Sequence, residues 1–184
     1  MQNFVLQDLE QALFDMELMS KAISIEPFEI YLLGGSGCIL AGYLDRATRD
    51  FDIVDLDYKA SLGRVLKLLE PYDMIDLRLA AIPPLFKERA VRLGQFRHLL
   101  VFVLSREDII ISKLPRFNER DQSDIAELLP MADISLLFAL AKEILDSDLL
   151  RPAKQVFFRN LTRCLEVHNV PNHVQQLEEL RKRL

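Results

Sequence analysis

Cysteine and histidine are scarce in this 184-residue chain, with two of the first and three of the second. Cys38 and Cys164 stand far apart in apolar surroundings, which excludes a disulfide framework and reads as buried free thiols in a reducing compartment. His98 precedes an apolar run, and His168 and His173 straddle Pro171 off helical metal-ligand spacing, so no zinc site is expected. Long hydrophobic runs are missing too: none approaches the roughly 18 residues that a membrane span needs. The opening MQNFVLQDLEQ is amphipathic and acidic, not basic and apolar as in a signal peptide. A soluble cytoplasmic protein without a membrane partner is the expectation. Internal repeats and low-complexity linkers are also lacking.

Half of the residues are hydrophobic, enough for a substantial core without disulfides or a structural metal. The formal net charge of −5 is unevenly spread. Residues 1–60 carry 4 Lys/Arg against 11 Asp/Glu, whereas residues 151–184 carry 7 against 3. An acidic front and a mildly basic back suit a metal site that meets a phosphate-bearing substrate; uneven solvated helix faces would give the same balance.

Phe4, Leu6, Leu9, Leu13, Met16 and Met19 recur at three- and four-residue steps and predict a helix over 4–22. A short buried strand is expected over 29–33, a helix over 37–44, a strand beginning at 50–58, a helix over 61–69, a strand over 74–80 and a continuous apolar strand over 99–104. The mixed, basic stretch 85–97 has no clear pattern. Beyond it, Ser105 with Arg106, Glu107 and Asp108 reads as a helix N-cap with an acidic first turn. Helices at about 106–114, 120–129, 133–147, 152–169 and 172–183 follow, punctuated by Pro115, Pro130, Pro152 and Pro171. The expected organisation is an α/β domain over 1–104 and a helical region over 105–184 packed on it.

Chemistry concentrates in LLGGSGCILAGYLDRATRDFDIVDLDY, residues 32–58. Gly34-Gly35-Ser36 joins a strand to a helix, where glycines let a phosphate approach the backbone N–H groups and the serine hydroxyl adds a donor. It is neither a Walker loop, which needs a following Gly-Lys-Ser/Thr, nor a dinucleotide fingerprint. Asp50 and Asp52 are spaced to share one face of a strand. Two carboxylates that close favour a cation between them, and Mg²⁺ takes few carboxylates together with substrate phosphate oxygens.

Strand, Gly-Gly-Ser, helix and then D-x-D on the next strand is similar to the nucleotidyltransferase signature of the DNA polymerase β-like superfamily. Arg46-Ala47-Thr48-Arg49-Asp50-Phe51-Asp52 resembles the R-x-T-x-D-[IF]-D element of minimal nucleotidyltransferases related to the abortive-infection toxin-antitoxin group. A second stretch resembles that family's helical motif: a strand ending in a capped helix with Lys113-Leu114, then Arg120-Asp121 and Asp124 opening the next helix. The resemblance covers about residues 28–129. It implies a mixed α/β (α+β) sheet with flanking helices, followed by a helical bundle. It also implies transfer of a nucleoside monophosphate from an NTP to a hydroxyl acceptor (RNA, protein or small molecule) with Mg²⁺ or Mn²⁺. A homodimer or a toxin-antitoxin partner is a further implication.

On this resemblance Asp50 and Asp52 are the metal-binding and catalytic carboxylates, and Gly34, Gly35 and Ser36 contact the triphosphate. Asp76 is the choice for a third carboxylate, catalytic and metal-binding, because it interrupts an apolar strand; a pair with Arg78 is its alternative. Arg46 and Thr48 either position the site and bind nucleotide or make local loop bonds. Lys113, on an apolar helix, either reaches a nucleotide phosphate or pairs with Asp121 or Asp124. Two rivals stand beside the enzyme: an inactive nucleotide-binding or antitoxin-like interaction module on the same fold, and a helical protein in which the motifs are accidental. The second predicts no sheet in 29–104 with Ser36 near Asp50.

Overall fold

A computed structural model describes residues 3–77, 79–147, 153–171 and 173–184. Residues 1, 2, 78, 148–152 and 172 lie outside the description, among them Arg78, the suggested partner of Asp76, and Pro152. The chain divides into two compact units: residues 1–76 with 87–105, and residues 77–86 with 106–184. The segment 77–86 thus counts with the helices, which a single sequence boundary at 104/105 does not capture.

The first unit is built on a sheet. Its strands are β1 (Phe28–Leu33), β2 (Phe51–Val54), β3 (Tyr72–Ile75), β4 (Val91–Arg92) and β5 (Leu99–Val103), in the order β3-β2-β1-β5-β4. β1 runs parallel to β5 and antiparallel to β2; β3 is parallel to β2, and β4 is antiparallel to β5. The mixed sheet expected from the resemblance is therefore present, and an accidental motif in a helical protein is ruled out. Ile30, Leu32, Ile53, Val101 and Val103 share one face, and all five are fully buried. Against the core lie α1 (Leu6–Ala22), α2 (Gly34–Leu40) and the short α3 (Gly63–Leu66), flanked by single 3₁₀ turns. The apolar stripe of α1 supplies Leu9, Leu13 and Met16, each fully buried.

Glu17, also on α1, ties the approach to β5. Its carboxylate accepts the backbone N–H of His98 at 2.9 Å and of Arg97 at 3.3 Å, and pairs with Lys21 at 2.7 Å. Burial pushes this carboxyl up, but those hydrogen bonds outweigh it and hold the group below its ordinary range.

Several elements differ from expectation. The helix placed at 37–44 is α2 at Gly34–Leu40, taking in the Gly-Gly-Ser turn and ending before Gly42, and the strand placed from 50–58 is β2 at Phe51–Val54. The strand placed at 74–80 is β3 at Tyr72–Ile75, and the residues from 77 on count with the helical unit. The unassigned stretch 85–97 holds the one-turn helix α4 (Phe86–Arg89) and the two-residue β4, both too short to show a period.

The second unit contains α5 (Arg106–Lys113), α6 (Glu119–Leu128), α7 (Ile134–Asp146), α8 (Lys154–Val167) and α9 (His173–Arg181). Asn118 caps α6 by accepting the N–H of Asp121 at 2.9 Å, and Asp133 caps α7 through Ser135 and Leu136. Leu137, Leu140, Ile144, Phe157, Leu161 and Leu165 bury the facing stripes. Among the described residues no helix is long and apolar enough to cross a membrane.

Candidate active site

β1 feeds directly into α2, so the chain must turn within Gly34-Gly35-Ser36. Gly34 has φ +58°, a conformation that side chains rarely adopt, and a Cβ there would stand 1.9 Å from Asp52 Oδ2. A Cβ on Gly35 would meet Thr48 Oγ1 at 2.6 Å and Arg46 Nη2 at 3.0 Å. The two glycines are therefore the floor on which the D-x-D carboxylate, the threonine hydroxyl and the guanidinium converge.

The Gly35-Ser36 turn and Asp52 lock this convergence reciprocally. The Asp52 N–H donates to Ser36 Oγ at 3.0 Å, and the Gly35 N–H donates to Asp52 Oδ2 at 3.2 Å. The serine hydroxyl also lies 3.4 Å from the Leu33 carbonyl it can donate to. Asp52 sits within β2 and pairs in register with Leu33. Asp50 sits just before β2, with Thr48 Oγ1 at 3.5 Å from both its carbonyl oxygen and its Oδ1, the long limit of a hydrogen bond. Arg46 donates to the Ala47 carbonyl at 2.8 Å, so part of its donor capacity shapes the loop. Asp50 and Asp52 are both half-buried, Ser36 and Thr48 fully enclosed. Gly34, Gly35, Ser36, Arg46, Thr48, Asp50 and Asp52 are thus brought into one place.

Asp76 is not placed with them. It lies one residue past the end of β3, exposed, one step beyond the pairing of Val54 with Ile75. The β3 residue in register with Asp52 is Asp73, and paired residues project to the same face. Asp76 is an odd number of residues away and has the opposite parity.

Lys113 also departs from a nucleotide-binding role. In the helical unit its ammonium is buried and bonds Asp124 Oδ2 at 2.7 Å and Asp121 Oδ1 at 3.3 Å, while Arg116 grips Asp121 with bonds of 2.7 and 2.8 Å. Burial pushes the Asp121 carboxyl up, but the Arg116 hydrogen bonds and the Lys113 and Arg116 charges outweigh it and hold it low. The ion-pair alternative describes this lysine.

The face of the sheet that carries Asp52 continues through Tyr31 on β1 and Phe102 on β5, whose rings stack with centroids 4.8 Å apart. Lys87 Nζ lies 5.1 Å from the Tyr31 ring centre, and the Tyr31 hydroxyl donates to Glu29 at 3.0 Å. Burial, and then Glu29, pushes this phenol up to about 12.

The donors at Asp50 and Asp52 are hard carboxylate oxygens, which suit Mg²⁺ or Mn²⁺. Among the described residues no three His, Cys, Asp or Glu side chains are grouped to hold a metal ion. Two carboxylates fit a cation that takes the rest of its shell from substrate phosphate and water.

The chain was compared with known proteins. No curated protein matches it. Among solved structures, the crystal structure of an antigenic nucleotidyltransferase-like protein from Paracoccidioides brasiliensis is similar, with 16% sequence identity and a TM-score of 0.52 over 96% of this chain and 95% of that one. At that identity the likeness is one of fold. The family described as "Nucleotidyltransferase of unknown function (DUF6036)" matches residues 7–178. With nearly the whole length matched, and a Gly-Gly-Ser turn bonded to a D-x-D strand at its centre, the chain belongs to this nucleotidyltransferase family.

Proposed function

We propose that the protein transfers a nucleoside monophosphate from an NTP to a hydroxyl acceptor with the aid of Mg²⁺ or Mn²⁺. The observation that carries this reading is the bonding of the Gly35-Ser36 turn and Asp52 in both directions, which fixes the turn against the D-x-D strand. Asp50 and Asp52 would hold the cation, which when bound neutralises phosphate charge and favours departure of pyrophosphate. Gly34 and Gly35, without side chains, leave room for Asp52, Thr48 and Arg46 to gather at the turn that would meet the triphosphate. Ser36 holds the backbone of Asp52 and so keeps the carboxylate pair in register with that turn. Arg46 stands beside Gly35, where a guanidinium attracts a phosphate oxygen. Asp73, on the same face as Asp52, replaces Asp76 as the residue to deprotonate the acceptor hydroxyl. RNA, a protein side chain or a small molecule would each supply such a hydroxyl.

A second reading keeps the fold without the reaction: a nucleotide-binding or antitoxin-like module, acting through a partner chain. The lack of a three-carboxylate group among the described residues favours it. Calorimetry of each NTP with Mg²⁺, on wild type and on the Asp50→Asn/Asp52→Asn double variant, separates the two. Metal-dependent binding that the variant loses supports the site. Failure of folded wild type to bind any NTP sinks the transferase reading for the isolated chain.

A further inference from the structure

The segment before α1 touches the site from outside. Phe4 and Thr48 form an isolated antiparallel bridge: the Phe4 N–H donates to the Thr48 carbonyl at 2.7 Å, and the Thr48 N–H donates to the Phe4 carbonyl at 2.9 Å. The Phe4 ring lies 6.0 Å from the Phe51 ring, tilted by 56°. Asp50 stands between the two residues so gripped, Thr48 two positions before it and Phe51 directly after.

This grip matters because residues 41–50, between α2 and β2, contain no regular element apart from this bridge. Such a segment places a side chain only as well as its backbone is tied. Both backbone groups of Thr48 are satisfied by Phe4, and its hydroxyl is turned to Gly35 and Asp50. Phe4 is itself anchored. The next residue, Val5, donates its N–H to Asp8 at 3.0 Å to start α1, and α1 is held in the core by Leu9, Leu13 and Met16. Phe51, the other end of the grip, is fully buried.

We propose that Phe4 is a positioning residue: it sets the Asp50 carboxylate by clamping the chain on both sides of it, and so couples the N-terminal strap to cation and nucleotide binding. This rests on the reading of Asp50 as a cation-binding carboxylate. Loss of Phe4 removes no group that touches substrate; it frees Asp50 to leave the geometry that binding needs.

The test uses the full chain. Phe4→Ala removes the ring and keeps the bridge; Phe4→Pro removes the N–H that reaches Thr48. Val101→Ala, a buried change on β5, on the sheet face that also carries Phe51 but away from the Phe4 contact, reports general loosening. Two quantities are read: calorimetric binding of Mn²⁺ with ATP, CTP, GTP and UTP in turn, and hydrogen exchange of the amides of residues 46–52. Phe4→Ala and Phe4→Pro are each expected to weaken Mn²⁺-dependent binding and speed exchange at 46–52 by about tenfold, Phe4→Tyr to keep both near wild type, and Val101→Ala to move neither. If Phe4→Pro does not fold, Phe4→Ala carries the test. Unchanged binding and exchange in folded Phe4→Ala overturns the proposal, as does an equal loss in Val101→Ala. If wild type binds no NTP, the transferase reading fails separately, and exchange at 46–52 alone decides whether Phe4 holds the loop.

Discussion

The two units use aspartate in opposite ways. In the helical unit Asp121 and Asp124 are 0% and 2% exposed and are sealed against Lys113 and Arg116, so their charge is answered inside the fold. In the α/β unit Asp50 and Asp52 are half-buried and are shaped by a backbone N–H and a hydroxyl, from Gly35 and Thr48. Sealed carboxylates with built-in cations fix a structure. Half-buried carboxylates that water still reaches can receive a cation from outside. The same residue type thus marks architecture in one unit and a candidate site in the other, and exposure separates them.

The largest effect should come from breaking the sealed network. Lys113→Met leaves two buried carboxylates without their ammonium and should cost about 3–5 kcal/mol in urea unfolding. A loss under about 1 kcal/mol would put this cluster in the class of surface pairs. Lys113→Arg sharpens the comparison: if stability holds but Mg²⁺-dependent NTP binding disappears, the lysine belongs to the site after all. The same network sets an acid limit. The Asp121 carboxyl titrates below its ordinary value of about 3.9 in the folded chain, so its contribution is complete above that value and lost as pH falls through the lower folded one. Wild type should therefore exceed Asp121→Asn in stability at pH 7, and the gap should close below about pH 4 in urea titrations at stepped pH.

Next in size is Gly34→Ala. The added Cβ would stand 1.9 Å from Asp52 Oδ2 on a backbone at φ +58°, so the carboxylate must move and the turn is strained. A cost of about 1–3 kcal/mol is expected, together with weaker Mg²⁺-dependent NTP binding. Gly63→Ala, where a Cβ meets nothing within 4 Å, is the control and should be neutral or slightly stabilising in thermal melts. Equal behaviour of the two variants would show that Gly34 is only a turn residue.

Much of this was legible in the sequence because local pattern and tertiary role agree there. α1 follows its apolar period, β5 is a continuous apolar run, and Pro115, Pro130 and Pro171 fall between α-helices of the second unit. The Gly-Gly-Ser and D-x-D pair were legible for a similar reason: the turn and strand that carry them are adjacent in chain and in space. Legibility failed where residues serve a distant neighbour. Ala81 and Ile82 are buried and count with the helical unit, so the apolar stretch after Asp76 imitated a strand and drew the choice of a third carboxylate to Asp76, past the end of β3. Asp73 emerges only from the pairing of β3 with β2. The bridge from Phe4 to Thr48 spans 44 positions and leaves no periodic trace. Lys113 offered two partners at sequence level, and burial chose between them.

The smallest expected effect is also the sharpest divide between the units. Asp50→Asn keeps the size of the side chain and an oxygen that Thr48 can reach, at a half-buried position that water can solvate in either form. Its effect on stability should lie within about 0.5 kcal/mol, as for substitutions away from packed features. Asp121→Asn, the same chemical change, should destabilise clearly, because the buried Lys113 ammonium loses a full opposing charge in a place water does not enter. Urea unfolding of the two variants side by side, with calorimetry of Mg²⁺ and NTP on the first, reads both halves of the contrast. A stable Asp50→Asn protein that no longer binds Mg²⁺-NTP would place the cost of this carboxylate wholly in ligand binding. A destabilised Asp50→Asn protein would mean that Asp50 is architecture too, and the transferase reading would then stand on Asp52 and the glycine turn alone.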